Sequence, residues 1–405
     1  MKWSPADYER LKDGQPPESD ELLRGLSRGV DFITDFWLEQ YLDSYISRGG
    51  SKIKFITGNP GCGKSHCLRL FLSGAAERRF KVVRLSAKSS WIHDFKEIYV
   101  GALKAVDLQE CLELCAERVI VEMGYRPEEI PAEMSFADYL AGQDLFDPVT
   151  RRELRSQINA MFFKNPRIDK NFAICAALMT GGILGHPFLE PSSQELIWAW
   201  LSGEKGVRMT ALRKLGLSPS KITKYNARHM LRSLVEVIRM AGCSGLVIGI
   251  DDLEILAGAS SLEDIRYTKM RREDAYESIR ELIDEIDTLS HVMFVFAFGR
   301  ELMDNETSGL KSYQALWMRI QNEIESRRFN RFSDIVDLDR MARQQYTPQT
   351  LSEMSQLLAD VASEAGIAST PVNLEVALAM IKNAGEGTVP QALPRLVNRI
   401  TLGVA

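Results

Sequence analysis

The chain has 405 residues, 45% hydrophobic and 26% charged, the composition of an ordinary globular protein. A formal net charge of −5 and a pI near 5.8 exclude a uniformly basic nucleic-acid-binding particle and leave room only for a local basic face. No apolar run reaches the roughly 18–20 residues of a membrane span, and Met1–Asp20 carries Pro and acids without an apolar stretch, so no membrane or secretory signal is expected and a cytoplasmic location follows.

Residues 1–50 read as an N-terminal segment and helix. Gln15-Pro16-Pro17-Glu18 breaks the chain, and Asp20–Leu26 begins a short helix. Ile33, Phe36, Trp37, Tyr41, Leu42 and Ile46 recur at helical spacing, and Gly49-Gly50 ends that helix. An apolar strand, Ile53–Thr57, then leads into Gly58-Asn59-Pro60-Gly61-Cys62-Gly63-Lys64-Ser65, followed by helix-compatible His66–Ala76. This fits G-x-x-x-x-G-K-[ST] in the strand–loop–helix context that the motif needs. The simpler alternative, a chance Gly-rich turn before a helix, does not account for both flanks. The glycines let backbone N–H groups wrap a phosphate at a helix N-terminus, with His66 the next contact along. Lys64 is expected to reach the β- and γ-phosphates of ATP, and Ser65 to ligate Mg²⁺. Lys81–Ser86 reads as a second strand and Trp91–Leu103 as helical, closing the first part of an ATPase core at 51–104.

Residues 105–240 read as helices punctuated by prolines, too long for a simple strand–helix–strand crossover and without a fixed-period repeat, hence a large helical insertion. Met209–Leu231 offers a helix–turn–helix for DNA, although any two helices around a Gly/Pro turn look alike. The six cysteines are scattered among apolar neighbours and read as buried thiols rather than zinc ligands. Oxidation of Cys62, inside the phosphate loop, is a side route to blocking nucleotide binding.

Residues 241–340 resume the core. Gly245–Ile250 is an apolar strand ending in Asp251-Asp252, the pattern of a Walker B motif. Asp251 is expected to hold Mg²⁺. Asp252 stands where many ATPases place a water-polarising Glu, with Glu254 a second candidate. The alternative for a lone strand-Asp-Asp is a capped strand end. The segment 260–274 carries Arg266, Lys269, Arg271 and Arg272, a solvated face by default and a phosphate-backbone contact otherwise. Ala275–Leu289 is an amphipathic helix, and His291–Phe298 is almost wholly apolar, as in a strand buried on both faces of a parallel sheet. Arg300 follows at its end, where ring-forming ATPases sense the γ-phosphate. Arg319, near the end of a helix at 312–320, and Arg327, Arg328 and Arg331 are candidates to act on a neighbour's γ-phosphate, because the planar guanidinium charge stabilises the transition state. Asp334–Asp339 reads as a last strand. Residues 341–405 form a small all-helical C-terminal lid, with Arg395 at a helix start as a second sensor or a surface arginine.

The order of these pieces resembles the AAA+ branch of P-loop ATPases. It is more narrowly similar to the ATP-binding proteins of BREX-type phage-defence systems (the C/D ATPase family). The carrying segments are GNPGCGKSH at 58–66, WLSGE at 200–204, NARHMLRSL at 226–234, GLVIGIDDLEIL at 245–256, AYESIRELID at 275–284, FAFGREL at 296–302 and SYQALWMRI at 312–320, and the similarity spans about 25–400. The resemblance implies an α/β fold: a parallel-sheet P-loop NTPase core with the helical insertion and lid. It implies ATP and Mg²⁺ as cofactors, and a homo-oligomer or a hetero-complex with other defence proteins, with DNA engagement. Its function is then ATP hydrolysis that couples nucleotide state to DNA or partner engagement in anti-phage defence; the alternative is a nucleotide-gated DNA-binding or scaffold module with little turnover. One departure stands out: the family pattern has Asp-Glu where this chain has Asp251-Asp252, and the shorter Asp places a water less well.

Overall fold

The computed structural model describes residues 4–13, 15–258, 264–324, 330–385 and 393–403. The chain folds as two compact units, one of residues 1–93 with 247–405 and the other of residues 94–246.

The first unit is built on five strands: β1 (Ser51–Gly58), β2 (Phe80–Ser86), β3 (Gly245–Asp251), β4 (Val292–Gly299) and β5 (Ile335–Asp337), in the order β2-β3-β4-β1-β5. β1 runs parallel to both β4 and β5, with Phe55 opposite Phe296 and Gly58 opposite Gly299. Every residue of β3 and β4 is buried, which is why these segments lack the alternation of a half-exposed strand. On one face, Phe55 and Phe296 stack with ring centroids 5.5 Å apart. On the other, Ile56, Met293 and Val295 join the cluster that receives the helix Lys64–Glu77. That helix buries Cys67, Leu68, Phe71, Leu72 and Ala75, a stripe at helical spacing, and Phe71 meets Trp37 edge-on at 5.5 Å. Burying each large side chain there contributes about 1.5–3 kcal/mol, so the helix is held by this face rather than by its own propensity.

Asp31–Trp37 is α-helical, as its periodicity suggests, but runs on as a π-helical stretch, Leu38–Asp43. The N-terminal segment holds a helix of its own, Pro5–Lys12, ahead of the Pro16-Pro17 break. Ser4 and Asp7 form a reciprocal capping box, and Pro5 occupies its first position. The C-terminal helices Leu338–Gln345, Pro348–Glu364, Leu374–Gly385 and Leu393–Thr401 share a cluster that includes Tyr346, Leu351, Val372, Met380 and Val397. Residues 386–392, before the last of them, lie outside the described residues, as do residues 260–263 of the basic segment; helix Lys269–Glu285 begins further on.

Ahead of β3, the described secondary structure of the second unit is helical, from Phe95–Ala105 to Ala227–Met240. Cys111, Cys115 and Cys175 are buried within it. The tight helix–turn–helix suggested at 209–231 does not form. Met209–Lys214 is a helix of 6 residues, and the next begins only at Ala227. The connection 215–226 is far longer than the turn that such a motif uses.

Candidate functional site

The phosphate loop sits where β1 ends and its helix begins. Gly61 and Gly63 have φ of +86° and +93°, a backbone region that side chains with a Cβ rarely adopt. A Cβ on Gly61 would also stand 2.6 Å from Cβ and Cδ of Arg395. Lys64 Nζ donates to Gly58 O at 3.1 Å and Asn59 O at 3.2 Å, so the lysine is folded over its own loop. Asn59 N–H donates to the carboxylate of Asp339 at 2.7 Å. Cys62 points inward and is buried; burial above all pushes its thiol up to about 12. A thiol held neutral in this way is a poor target for oxidants, which argues against Cys62 as a redox switch.

Asp251, at the end of β3, is buried, with the Ser65 hydroxyl at the start of the loop helix close enough to favour its charged form. The structure thus brings together the two residues expected to hold Mg²⁺. Burial first, then the adjacent Asp252 charge, raises the Asp251 pKa above its ordinary value; the Ser65 hydroxyl, the Asp252 amide and Arg84 oppose the rise. The Arg84 guanidinium on β2 lies 3.8 Å from the Asp251 carboxylate. Ser65 and Asp251 offer hard oxygen donors, the chemistry that suits Mg²⁺ shared with a nucleotide's phosphates.

Asp252 departs from the simple expectation. Its backbone is left-handed, with φ of +62°. Its carboxylate accepts from Ser86 Oγ at 2.6 Å and from Lys88 Nζ at 2.9 Å, both just beyond or at the end of β2. Glu254 accepts from the Gly299 N–H at 3.0 Å, joining the segment after β3 to the end of β4. Arg300 pairs with Asp337 at 2.5 Å and Asp339 at 3.4 Å. Arg300 therefore reaches the loop through Asp339 and Asn59. Arg319 is gripped by both oxygens of Asp284, at 2.5 and 2.7 Å, away from this cluster. Arg331 stacks on the Phe36 ring at 4.4 Å, while Arg327 and Arg328 lie outside the described residues.

A small pocket of about 70 Å³ adjoins the loop. Gly61, Cys62, Gly63 and His66 form one wall, and Tyr346, Arg395 and Asn398 face them from the C-terminal helices; Ser27, Arg28 and Val30 close it from the N-terminal side. Arg395 Nε is buried there and has no hydrogen-bond partner among the described residues. Ser27, Arg84, Ser86, Lys88 and Asp339 escaped the reading of the sequence. Only the acids of DIVDLD carried a local signal, as a charge cluster at a strand end.

Sheet, loop and helix together define an α/β protein with a core of the P-loop kind. Within that class the chain belongs to the family described as BREX system ATP-binding protein BrxC/D, whose family model matches residues 37–396. The family is one of ATP-binding proteins of a phage-defence system. No curated protein and no solved structure matches the chain. None of the described helices is long and apolar enough to cross a membrane.

Proposed function

We propose that the chain is an AAA+-type, Mg²⁺-dependent ATPase that couples its nucleotide state to DNA or to partner proteins of the defence complex. The placing of Ser65 next to the buried Asp251, beside a lysine already folded over the loop, carries this reading. Loop amides and Lys64 bind and orient the phosphates of ATP. Ser65 and Asp251 would hold Mg²⁺, which supplies positive charge against the transferring phosphoryl oxygens. Asp252 polarises the attacking water, with Glu254 as the second candidate; Arg300 senses the γ-phosphate through the Asp339–Asn59 link. Arg395 closes the pocket from the helical lid, where its Nε, without a partner among the described residues, suits a phosphate oxygen. Arg319, or an arginine of the 327–331 segment, acts on the neighbouring subunit of an oligomer.

A second reading is a nucleotide-gated binding module with little turnover. The bonds from Ser86 and Lys88 to Asp252 favour it, because a carboxylate so engaged is not free to take a proton from water. ATP turnover with and without duplex DNA, together with particle mass with and without MgATP, separates the two. DNA-stimulated hydrolysis by an ATP-dependent assembly supports the ATPase. Tight MgATP binding with negligible turnover in every condition supports the gated module.

A further inference from the structure

In the second unit, residues 205–235 carry eight lysines and arginines and no acid, in a chain whose net charge is −5. Lys205, Arg208, Arg213, Lys214, Lys221 and Lys224 are exposed, and among the described residues none of the six forms an ion pair. Elsewhere surface charges of opposite sign are interleaved, as where Arg280 is held by Glu277 and Asp284. Tyr225 stands in the same stretch with 83% of its surface exposed, and Lys224 Nζ lies 5.5 Å from its ring centroid.

The segment that bears these groups is clamped. Leu217 and Ile222 are buried. The Asn171 amide donates to Ser218 O at 3.2 Å and accepts from the Ser218 N–H at 2.8 Å. Trp200 Nε1 donates to Ser220 O at 2.9 Å. The Asn226 side chain accepts from the Thr223 N–H at 2.7 Å and donates to Lys221 O at 3.0 Å. A loop held in this way presents Lys221, Lys224 and Tyr225 with little ordering left to do on binding. Unpaired cations along it attract a phosphate backbone, and the exposed ring is a platform for a base. A duplex keeps its base faces stacked inside and presents phosphates, whereas a single strand presents both. The long connection 215–226 also lacks the tight turn that would lay a recognition helix in a major groove.

Resting on the reading of DNA as a partner, we propose that residues 205–225 form a binding surface for single-stranded DNA. Lys221 and Lys224 contact its phosphates, and Tyr225 stacks on a base.

The test is fluorescence anisotropy of the full chain, with MgATP present, against labelled oligothymidine, a DNA duplex of equal length and oligouridine. The variants are the double substitution Lys221→Ala/Lys224→Ala, Tyr225→Ala and Tyr225→Phe. All three positions are exposed, so the urea midpoint should not move. The natural chain is expected to bind the DNA single strand more tightly than the duplex, with an affinity that falls as salt rises. Each phosphate contact on a single strand contributes about 0.7 to the slope of log affinity against log salt, so the double variant should lower that slope by about 1.4. Tyr225→Ala should weaken single-strand binding by about 5- to 150-fold and leave the slope in place, while Tyr225→Phe, which keeps the ring, retains the affinity. A duplex bound more tightly than the single strand, or Tyr225→Ala without effect, overturns the proposal. A preference for oligouridine overturns the assignment to DNA. DNA binding whose affinity and salt slope are unmoved by every variant overturns this surface and leaves the DNA reading standing. A natural chain that binds no DNA overturns that reading as well.

Discussion

Gly61 and Gly63 are both left-handed, yet only one faces a neighbour. A Cβ on Gly63 meets nothing within 4 Å, whereas one on Gly61 would stand 2.6 Å from Cβ and Cδ of Arg395. Gly63→Ala therefore carries only the backbone cost, about 1–2 kcal/mol for a left-handed residue with a Cβ. Gly61→Ala carries that cost plus the displacement of the Arg395 stem, since carbon atoms in contact sit about 3.5–4.0 Å apart. Cβ is fixed to the backbone, so relief requires helix Leu393–Thr401 to shift, and overpacking of this kind typically adds about 1–3 kcal/mol. The sum for Gly61→Ala is about 2–5 kcal/mol. In an Arg395→Ala background the stem beyond Cβ is gone and part of the clash is relieved. A double-mutant cycle by urea unfolding should then give a coupling of about 1 kcal/mol. Equal costs for the two glycine substitutions, with no coupling to Arg395, would refute the seating of Arg395 on the loop.

Lys54 is fully buried on β1, where Nζ donates to Phe332 O at 2.7 Å, Ser333 O at 2.8 Å and Asp334 at 2.9 Å. Lys54→Met keeps the length and removes the donors; because Asp334 retains Lys52 at 2.7 Å, the loss should be about 2–4 kcal/mol in urea unfolding, and an unchanged midpoint would contradict it. Ser86→Ala frees one oxygen of Asp252 and should raise basal ATP turnover several-fold; a fall would show that the bond organises the acid rather than restrains it. His66 has its folded pKa lowered from 6.5 to about 4, so between these values the unfolded chain binds the extra proton. Stability should consequently rise with pH across that window, by a slope that disappears in His66→Phe; parallel profiles for the two proteins would contradict the assignment.

Much of the core was legible because its signals are local. β3 and β4 are continuous apolar runs, and the phosphate loop is a contiguous motif between a strand and a helix. The helices over 105–240 were legible in the same way, from periodicity and proline breaks. What escaped depends on residues far apart in the chain. Asp339 meets Asn59, Ser27 meets His66, and Ser86 and Lys88 meet Asp252, and no local pattern announces any of these pairs. The restraint on Asp252 also depends on a left-handed backbone at a residue with no glycine to mark it. Helix Pro5–Lys12 is a different case, since its capping box of Ser4 and Asp7 is local, but the nearby Pro16-Pro17 break gives the segment the look of a linker. At 209–231 the turn chemistry was visible and the length of the connection was not.

The central claim is that Lys64, Ser65 and Asp251 form one MgATP site, and it is tested most directly by Mg²⁺-dependent ATP binding. Titration of the purified full chain with ATP, with and without Mg²⁺, should show tight binding that Lys64→Ala abolishes. Asp251→Ala should leave residual ATP binding that no longer responds to Mg²⁺. ATP affinity unchanged in Lys64→Ala, or a full Mg²⁺ response in Asp251→Ala, would contradict the account.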